Sequence, residues 1–206
     1  MAPISATEFA VRAAAVRLLL FDVDGVLTNG GVYVDANGTE SKRFHIRDGA
    51  AIAYAQRLGY LTGVLSARES GATTVRAAEL KMAVVVQGAL HKERALRDIL
   101  NTHQLTAEEV AYMGDDLVDL PILRAVGLSA APADAAPEVS AVTHFVSASI
   151  TWSPSRWMPR SRNWKKPRKS IRARWKSNSS SAISTGRRAR SAAPLPSIRR
   201  CCRSLG

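Results

Sequence analysis

Four short stretches carry side chains able to do chemistry, and they follow one another along the chain: Asp22-Val23-Asp24-Gly25-Val26-Leu27-Thr28, Ser66-Ala67-Arg68, Lys92, and Gly114-Asp115-Asp116-Leu117-Val118-Asp119. Asp22 and Asp24 stand one residue apart at the end of an apolar run. Carboxylates so close raise each other's pKa or need a cation between them. Acids drawn from two stations make a hard oxygen site suited to Mg²⁺. Phosphoryl transfer fits this set. Asp22 could attack phosphorus as a carboxylate nucleophile, and Asp24 could protonate the leaving oxygen and later activate water. Ser66 and Lys92 could hold the transferring oxygens. Each station alone is weak, since Asp-x-Asp-Gly is common in turns, Gly-Asp-Asp in caps, and a lysine on most helices is solvated. An EF-hand loop starting at Asp22 fails, because Val26 and Tyr33 stand where oxygen ligands belong. The ordered set points to one site.

The elements between the stations alternate. Apolar runs at 16–23, 61–66, 82–86, 110–113, 128–130 and 144–147 predict strands. Helical spacing predicts helices over 49–58, 70–80, 92–103 and 117–126, with Ala95, Leu96, Ile99 and Leu100 on one face of the third. Thr106-Ala107-Glu108-Glu109 reads as a capping box before the next strand. Such alternation predicts an α/β fold, a Rossmann-like, doubly wound parallel sheet with helices on both faces. The carboxyl ends of its strands would bring the four stations to one crevice. One piece breaks the rhythm: Val32 and Val34, then Asn37-Gly38, then Phe44 and Ile46 predict a β-hairpin flap directly after the first strand.

The net charge of +12 over 206 residues is an average of two unlike parts. All 17 acids lie between Glu8 and Glu138, so residues 1–150 carry a net −4, whereas residues 151–206 carry 16 Lys and Arg and no acid. That last part also holds all four Trp, 12 Ser and 5 Pro, with no periodicity, and is too polar to bury a core. Residues 1–148 are therefore read as the folded domain and 149–206 as a disordered basic tail. No secretory signal or membrane-length apolar run shows, and the adjacent Cys201 and Cys202 suggest no disulfide framework, so the expected location is cytoplasmic.

The stretches "FDVDGVLT", "LSAR", Lys92 and "GDDLVD" resemble, in order, the four motifs of the haloacid dehalogenase superfamily of aspartate-nucleophile phosphatases. More closely, "FHIRDGAAI", "LSARES", "VRAAEL", "QGALHKERAL" and "AYMGDDLVDLPIL" are similar to the 3-deoxy-D-manno-octulosonate 8-phosphate phosphatases and to relatives acting on nonulosonate 9-phosphates, over roughly residues 14–147. The resemblance implies Asp22 as nucleophile and Mg²⁺ ligand, and Asp24 as acid/base and ligand through its carbonyl. It implies Asp115 as the third protein ligand, supported by Asp116 and Asp119, and Ser66 and Lys92 as phosphate-positioning residues. It implies a substrate-contacting set of Asp24, His45, Ile46, Arg47, Asp48, Gly49, Arg68, Arg76 and Lys92, whose arginines suit an acidic sugar phosphate. With 41 residues between Asp24 and Ser66 and 25 between Ser66 and Lys92, there is no room for a cap domain. The resemblance then implies a homotetramer in which hairpins associate, and a place in lipopolysaccharide biosynthesis.

Three departures stand out. Ser66-Ala67 replaces the usual Thr-Gly, and Ala53 stands where a basic residue is common. The Gly-rich loop and apolar C-terminal helix of the relatives give way to the basic tract from about Ser149, which reads as the product of a shifted reading frame. The competing functions are an impaired homologue and a polyanion-binding protein driven by the tail and its tryptophans. The mildly acidic folded part makes nucleic acid the weaker expectation.

Overall fold

The computed structural model describes residues 4–147, so the expected tail over 149–206 lies outside the described residues. Strand β1 (Leu18–Phe21) is buried at every position. It pairs in parallel with β4 (Leu61–Leu65) on one side and β6 (Val110–Met113) on the other, Leu20 standing opposite both Gly63 and Tyr112. With β5 (Val84–Val86), β7 (Leu128–Pro132) and β8 (Phe145–Ser147) this makes a six-stranded parallel sheet in the order β5-β4-β1-β6-β7-β8.

Strand alternation sorts the core onto the two faces. Leu19 and Phe21 join Ala13 of helix α1 (Ala6–Ala15), Ala51, Ile52 and Ala55 of α2 (Ile46–Arg57), and Ala77 of α3 (Gly71–Glu79). Leu18 and Leu20 join Leu96 and Ile99 of α4 (Lys92–His103), with Ile122 and Leu123 of α5 (Leu120–Ala125). Each fully buried leucine is worth about 1.5–3 kcal/mol, which makes β1 a firm platform. The chain winds from β1 out to β5, then crosses to β6 on the far side. The carboxyl ends of β1 and β6 therefore flank the point where strand order reverses, the place where open α/β sheets bind ligands.

The expected strands are all present, mostly shorter, and α4 spans the expected range. The capping box forms: Thr106 N–H donates to Glu109 Oε2 at 3.0 Å, opening a single 3₁₀ turn before β6. The helix expected over 117–126 is divided into a 3₁₀ turn, Leu117–Asp119, and α5, with Pro121 in the first turn of α5, where its missing N–H costs nothing. The hairpin is present but short. β2 (Tyr33–Val34) pairs with β3 (Glu40–Ser41), and the Asp35 carboxylate closes the turn by accepting from Asn37 and Thr39 N–H at 2.9 and 2.8 Å. Phe44 and Ile46 lie outside the hairpin, because His45 already caps α2 and Ile46 begins it. Two helices were not expected, α1 and the four-residue α6 (Pro137–Ser140). Among the described residues, no helix is long and apolar enough to cross a membrane.

Candidate active site

β1 delivers Asp22 to the switch point; its N–H still donates to Met113 O at 2.9 Å, so the sheet holds the backbone of the first acid. β4 ends at Ser66, beside β1, with Ser66 N–H on Val86 O and its Oγ accepting from Arg68 N–H at 3.3 Å. β6 runs into Gly114 and Asp115. Lys92, first residue of α4, is fully buried, against the ordinary expectation for a helix lysine. Its Nζ lies 3.1 Å from Asp22 Oδ1 and donates to Asp119 Oδ1 at 2.6 Å and to Tyr112 Oη at 3.2 Å. Tyr112 O–H in turn donates to the same Asp119 oxygen at 2.6 Å.

Asp22, Asp115 and Asp119 offer carboxylate oxygens within 4.8 Å of one another. Their environments differ. Asp119 is saturated: Oδ1 holds Lys92 and Tyr112, and Oδ2 accepts from Asp115 and Asp116 N–H at 3.1 and 3.2 Å. It is an anchor that fixes both the lysine and the β6 loop. Asp115 Oδ1, by contrast, is buried without a hydrogen-bond partner. Burial pushes the Asp115 carboxyl up to about 7, helped by the charges of Asp22, Asp119 and Asp116. Burial likewise pushes Asp22 up to about 6, with Lys92 pulling the other way and Asp119 adding to the rise. An orphaned buried carboxylate oxygen beside a second carboxylate pushed up by burial is a hard-oxygen donor set that fits a divalent cation such as Mg²⁺. Gly25, at φ +88°, makes the arrangement possible, because a Cβ there would collide with the Asp115 carboxylate.

Asp24 stands apart from this cluster. Its two carboxylate oxygens accept from Lys42 Nζ at 2.7 and 2.8 Å. Lys42 follows β3, also faces Glu40 at 3.6 Å, and its side chain is only 1% exposed. Glu40 in turn holds Arg68 at 2.8 Å. The hairpin is thus tied by charge to both the first and second stations. Arg76 belongs to a separate group: it donates to Glu79 at 2.9 Å and to His45 O at 3.4 Å, lies 5.8 Å from the Phe44 ring, and rests on Gly49. His45 caps α2 by accepting from Arg47 N–H at 3.1 Å; Ile46 and Arg47 are exposed and Asp48 is buried. The structure therefore brings Asp22, Lys92 and Asp115 together, connects Asp24 to Arg68 through the hairpin, and gathers His45, Gly49 and Arg76 at the start of α2. Sequence reasoning missed Tyr112, Lys42 and Glu40. The signal for Tyr112 was a polar tip within a strand buried at every position, which demands a partner; the hairpin charges gave none.

A haloacid dehalogenase-like hydrolase profile matches residues 65–151. The 3-deoxy-D-manno-octulosonate 8-phosphate phosphatase of Salmonella typhi is 39% identical over 147 residues, covering 69% of this chain and 78% of the relative. The chain belongs to this phosphatase family. The Haemophilus influenzae phosphatase of the same name is 43% identical over 133 residues, 64% of this chain and 74% of that protein. Among solved structures, the Yersinia pestis phosphatase matches with a TM-score of 0.68 at 38% identity, covering 70% of this chain and 78% of the other. The Moraxella catarrhalis phosphatase matches with a TM-score of 0.68 at 28% identity, covering 70% of this chain and 83% of that one; that structure holds a magnesium ion, a phosphate ion and a KDO molecule. The residues matched by the family profile begin within β4 and take in Ser66, Lys92, Asp115 and Asp119 of this phosphatase.

Proposed function

We propose that this phosphatase hydrolyses 3-deoxy-D-manno-octulosonate 8-phosphate with Mg²⁺ through a phospho-Asp22 intermediate. The observation that carries the reading is the Lys92 ammonium, fully buried between Asp22 and Asp119 beside the unpartnered oxygen of Asp115. A bound Mg²⁺, held by Asp22 and Asp115, would supply positive charge that lets a carboxylate approach an anionic ester. Asp22 attacks phosphorus from the rigid end of β1, and the ester oxygen leaves with the proton given by Asp24. Asp24 then takes a proton from the water that cleaves the acyl phosphate, returning Asp22 and releasing inorganic phosphate. Lys92 and the Ser66 hydroxyl hold the equatorial oxygens, where charge develops. Asp119 and Tyr112 fix Lys92 for that task. Arg68 and Arg76, with His45 to Gly49 at the start of α2, provide the cations and backbone groups for the acidic sugar.

The hairpin supports the expected assembly through this face: Tyr33 and Val34 are 61% and 65% exposed on a two-stranded element too small to be stable alone. Purified protein with Mg²⁺ is assayed for phosphate release over eight- and nine-carbon sugar-acid phosphates. Turnover is expected to be highest for the eight-carbon substrate and abolished in Asp22→Asn; an equally active Asp22→Asn enzyme would overturn the mechanism.

A further inference from the structure

We propose that Lys42 is an exchangeable counter-ion: it sits on Asp24 when no phosphate is bound and passes to the phosphate of the entering ester, which frees Asp24 to face the leaving-group oxygen. This rests on the assignment of Asp24 as acid/base given above. The geometry favours the exchange. Both oxygens of Asp24 accept from the same ammonium at 2.7 and 2.8 Å, so while Lys42 stays each has one lone pair taken and a leaving group must compete with a cation for the rest. The geometry also fixes how the contact can break. The Lys42 side chain is 1% exposed, so its charge cannot retreat into water. A buried ammonium stripped of its partner costs several kcal/mol, so it can leave one anion only for another. Phosphate is that second anion, and it arrives beside Asp24. Lysine suits the move, being a compact charge with three donors on a flexible stem.

Glu40 sets the other side of the balance. It faces Lys42 at 3.6 Å and pairs with Arg68 at 2.8 Å, so one hairpin carboxylate restrains two cations next to the site. The Ser70 hydroxyl, then Lys42 and Arg68, hold its carboxyl below the ordinary range, as expected of an acid kept ionised by its neighbours. An incoming dianion competes with Asp24 and Glu40 for these cations. Glu40 therefore opposes phosphate binding, whereas Lys42 favours it, although both belong to the same hairpin network.

Opposite signs within one network make the test decisive. Affinity for inorganic phosphate is measured by isothermal titration calorimetry on Mg²⁺-loaded full-length protein, for wild type, Lys42→Met, Lys42→Arg and Glu40→Gln. Lys42→Met is expected to weaken phosphate binding at least tenfold, Lys42→Arg to recover most of it, and Glu40→Gln to tighten it severalfold. With sugar-acid phosphate as substrate, the same variants should move KM in the same directions. If Lys42→Met binds phosphate as wild type does, or if Glu40→Gln weakens binding as Lys42→Met does, the exchange is wrong and the network only holds the hairpin in place. The phosphate titration needs no turnover, so a wrong substrate assignment would show separately, as wild-type protein that binds phosphate but does not hydrolyse the eight-carbon ester.

Discussion

Removing the divalent cation should make the domain less stable as pH rises through neutrality, the reverse of the usual acid limb. The two carboxyls responsible are Asp22, pushed up to about 6, and Asp115, pushed up to about 7, both from 3.8 and both first by burial. A carboxyl whose folded pKa lies above its unfolded value binds more protons in the folded state between the two values. Stability is therefore lost with rising pH across that window, from about pH 4 to about pH 7. At 1.36 kcal/mol per unit, Asp22 contributes a loss of about 3 kcal/mol. Asp115 nominally contributes about 4, halved to roughly 2 because its carboxyl touches solvent. A cation that needs both groups ionised offsets this loss, so Mg²⁺ should stabilise by up to about 5 kcal/mol at about pH 8 and hardly at all at about pH 5. At about 2–4 °C per kcal/mol, the expected rise in Tm at the higher pH is on the order of 10 °C. The assay is scanning calorimetry with saturating MgCl₂ and with EDTA. Burial lowers His103 and His144 below 6.5, which works in the opposite direction in acid, but the difference between the two scans cancels them. Asp115→Asn supplies the sharper check: without metal at about pH 8 it should be more stable than wild type, and it should lose the Mg²⁺ response. A Mg²⁺ shift of equal size at both pH values would refute the reasoning.

Gly25→Ala should abolish Mg²⁺ stabilisation and cut activity by more than tenfold while the domain still folds, because the added methyl displaces the Asp115 carboxylate; calorimetry and circular dichroism separate the two effects. Lys92→Met should remove phosphatase activity and destabilise by about 3–5 kcal/mol, since Asp119 is left as a fully buried charge without its cation; urea unfolding reads the cost. Tyr112→Phe should cost only about 1 kcal/mol, because Asp119 keeps Lys92 and two backbone N–H donors, and should lower kcat modestly with KM unchanged.

What was legible in the sequence was whatever local chemistry decides. The apolar run ending in Asp22 had to be a buried strand meeting a polar crevice, and the helix from Lys92 to His103 kept its face over three turns. The capping box at Thr106 is a four-residue device that needs no tertiary partner. The hairpin turn was legible for the same reason, but its length was not: strand alternation at Phe44 and Ile46 lost to the cap that His45 offers α2. Helix α1 lies before the first strand, outside the strand–helix alternation that the sequence displays, although Ser5 accepts from Glu8 N–H at 3.2 Å at its start. The burial of Lys92 could be inferred only from the ordered set of stations, and that of Lys42 not at all. Both depend on carboxylates 18 to 70 positions away in the chain, which no local period records.

The charge count explains why those long-range pairs have to exist together. At the ends of β1 and β6 the described residues gather four carboxylates that are at least partly buried, Asp22, Asp24, Asp115 and Asp119, against two buried ammoniums, Lys92 and Lys42, with Asp116 exposed beside them. Lys92 is divided between Asp22 and Asp119, and Lys42 is spent on Asp24, so the shortfall of about two positive charges falls on Asp115 and Asp22. These two acids are pushed above their ordinary value, first by burial and then by neighbouring carboxylates. One divalent cation between them closes the balance without moving a side chain, whereas a monovalent ion would leave one acid uncompensated. A phosphate ester bound as proposed would reopen the balance by bringing negative charge next to Asp24. Lys92 can turn one donor to the phosphate but cannot leave Asp119, which is enclosed on every side. The cation free to change partners is then Lys42, which follows the hairpin strand β3, whereas the fixed charges stand at the ends of β1 and β6 and at the start of α4.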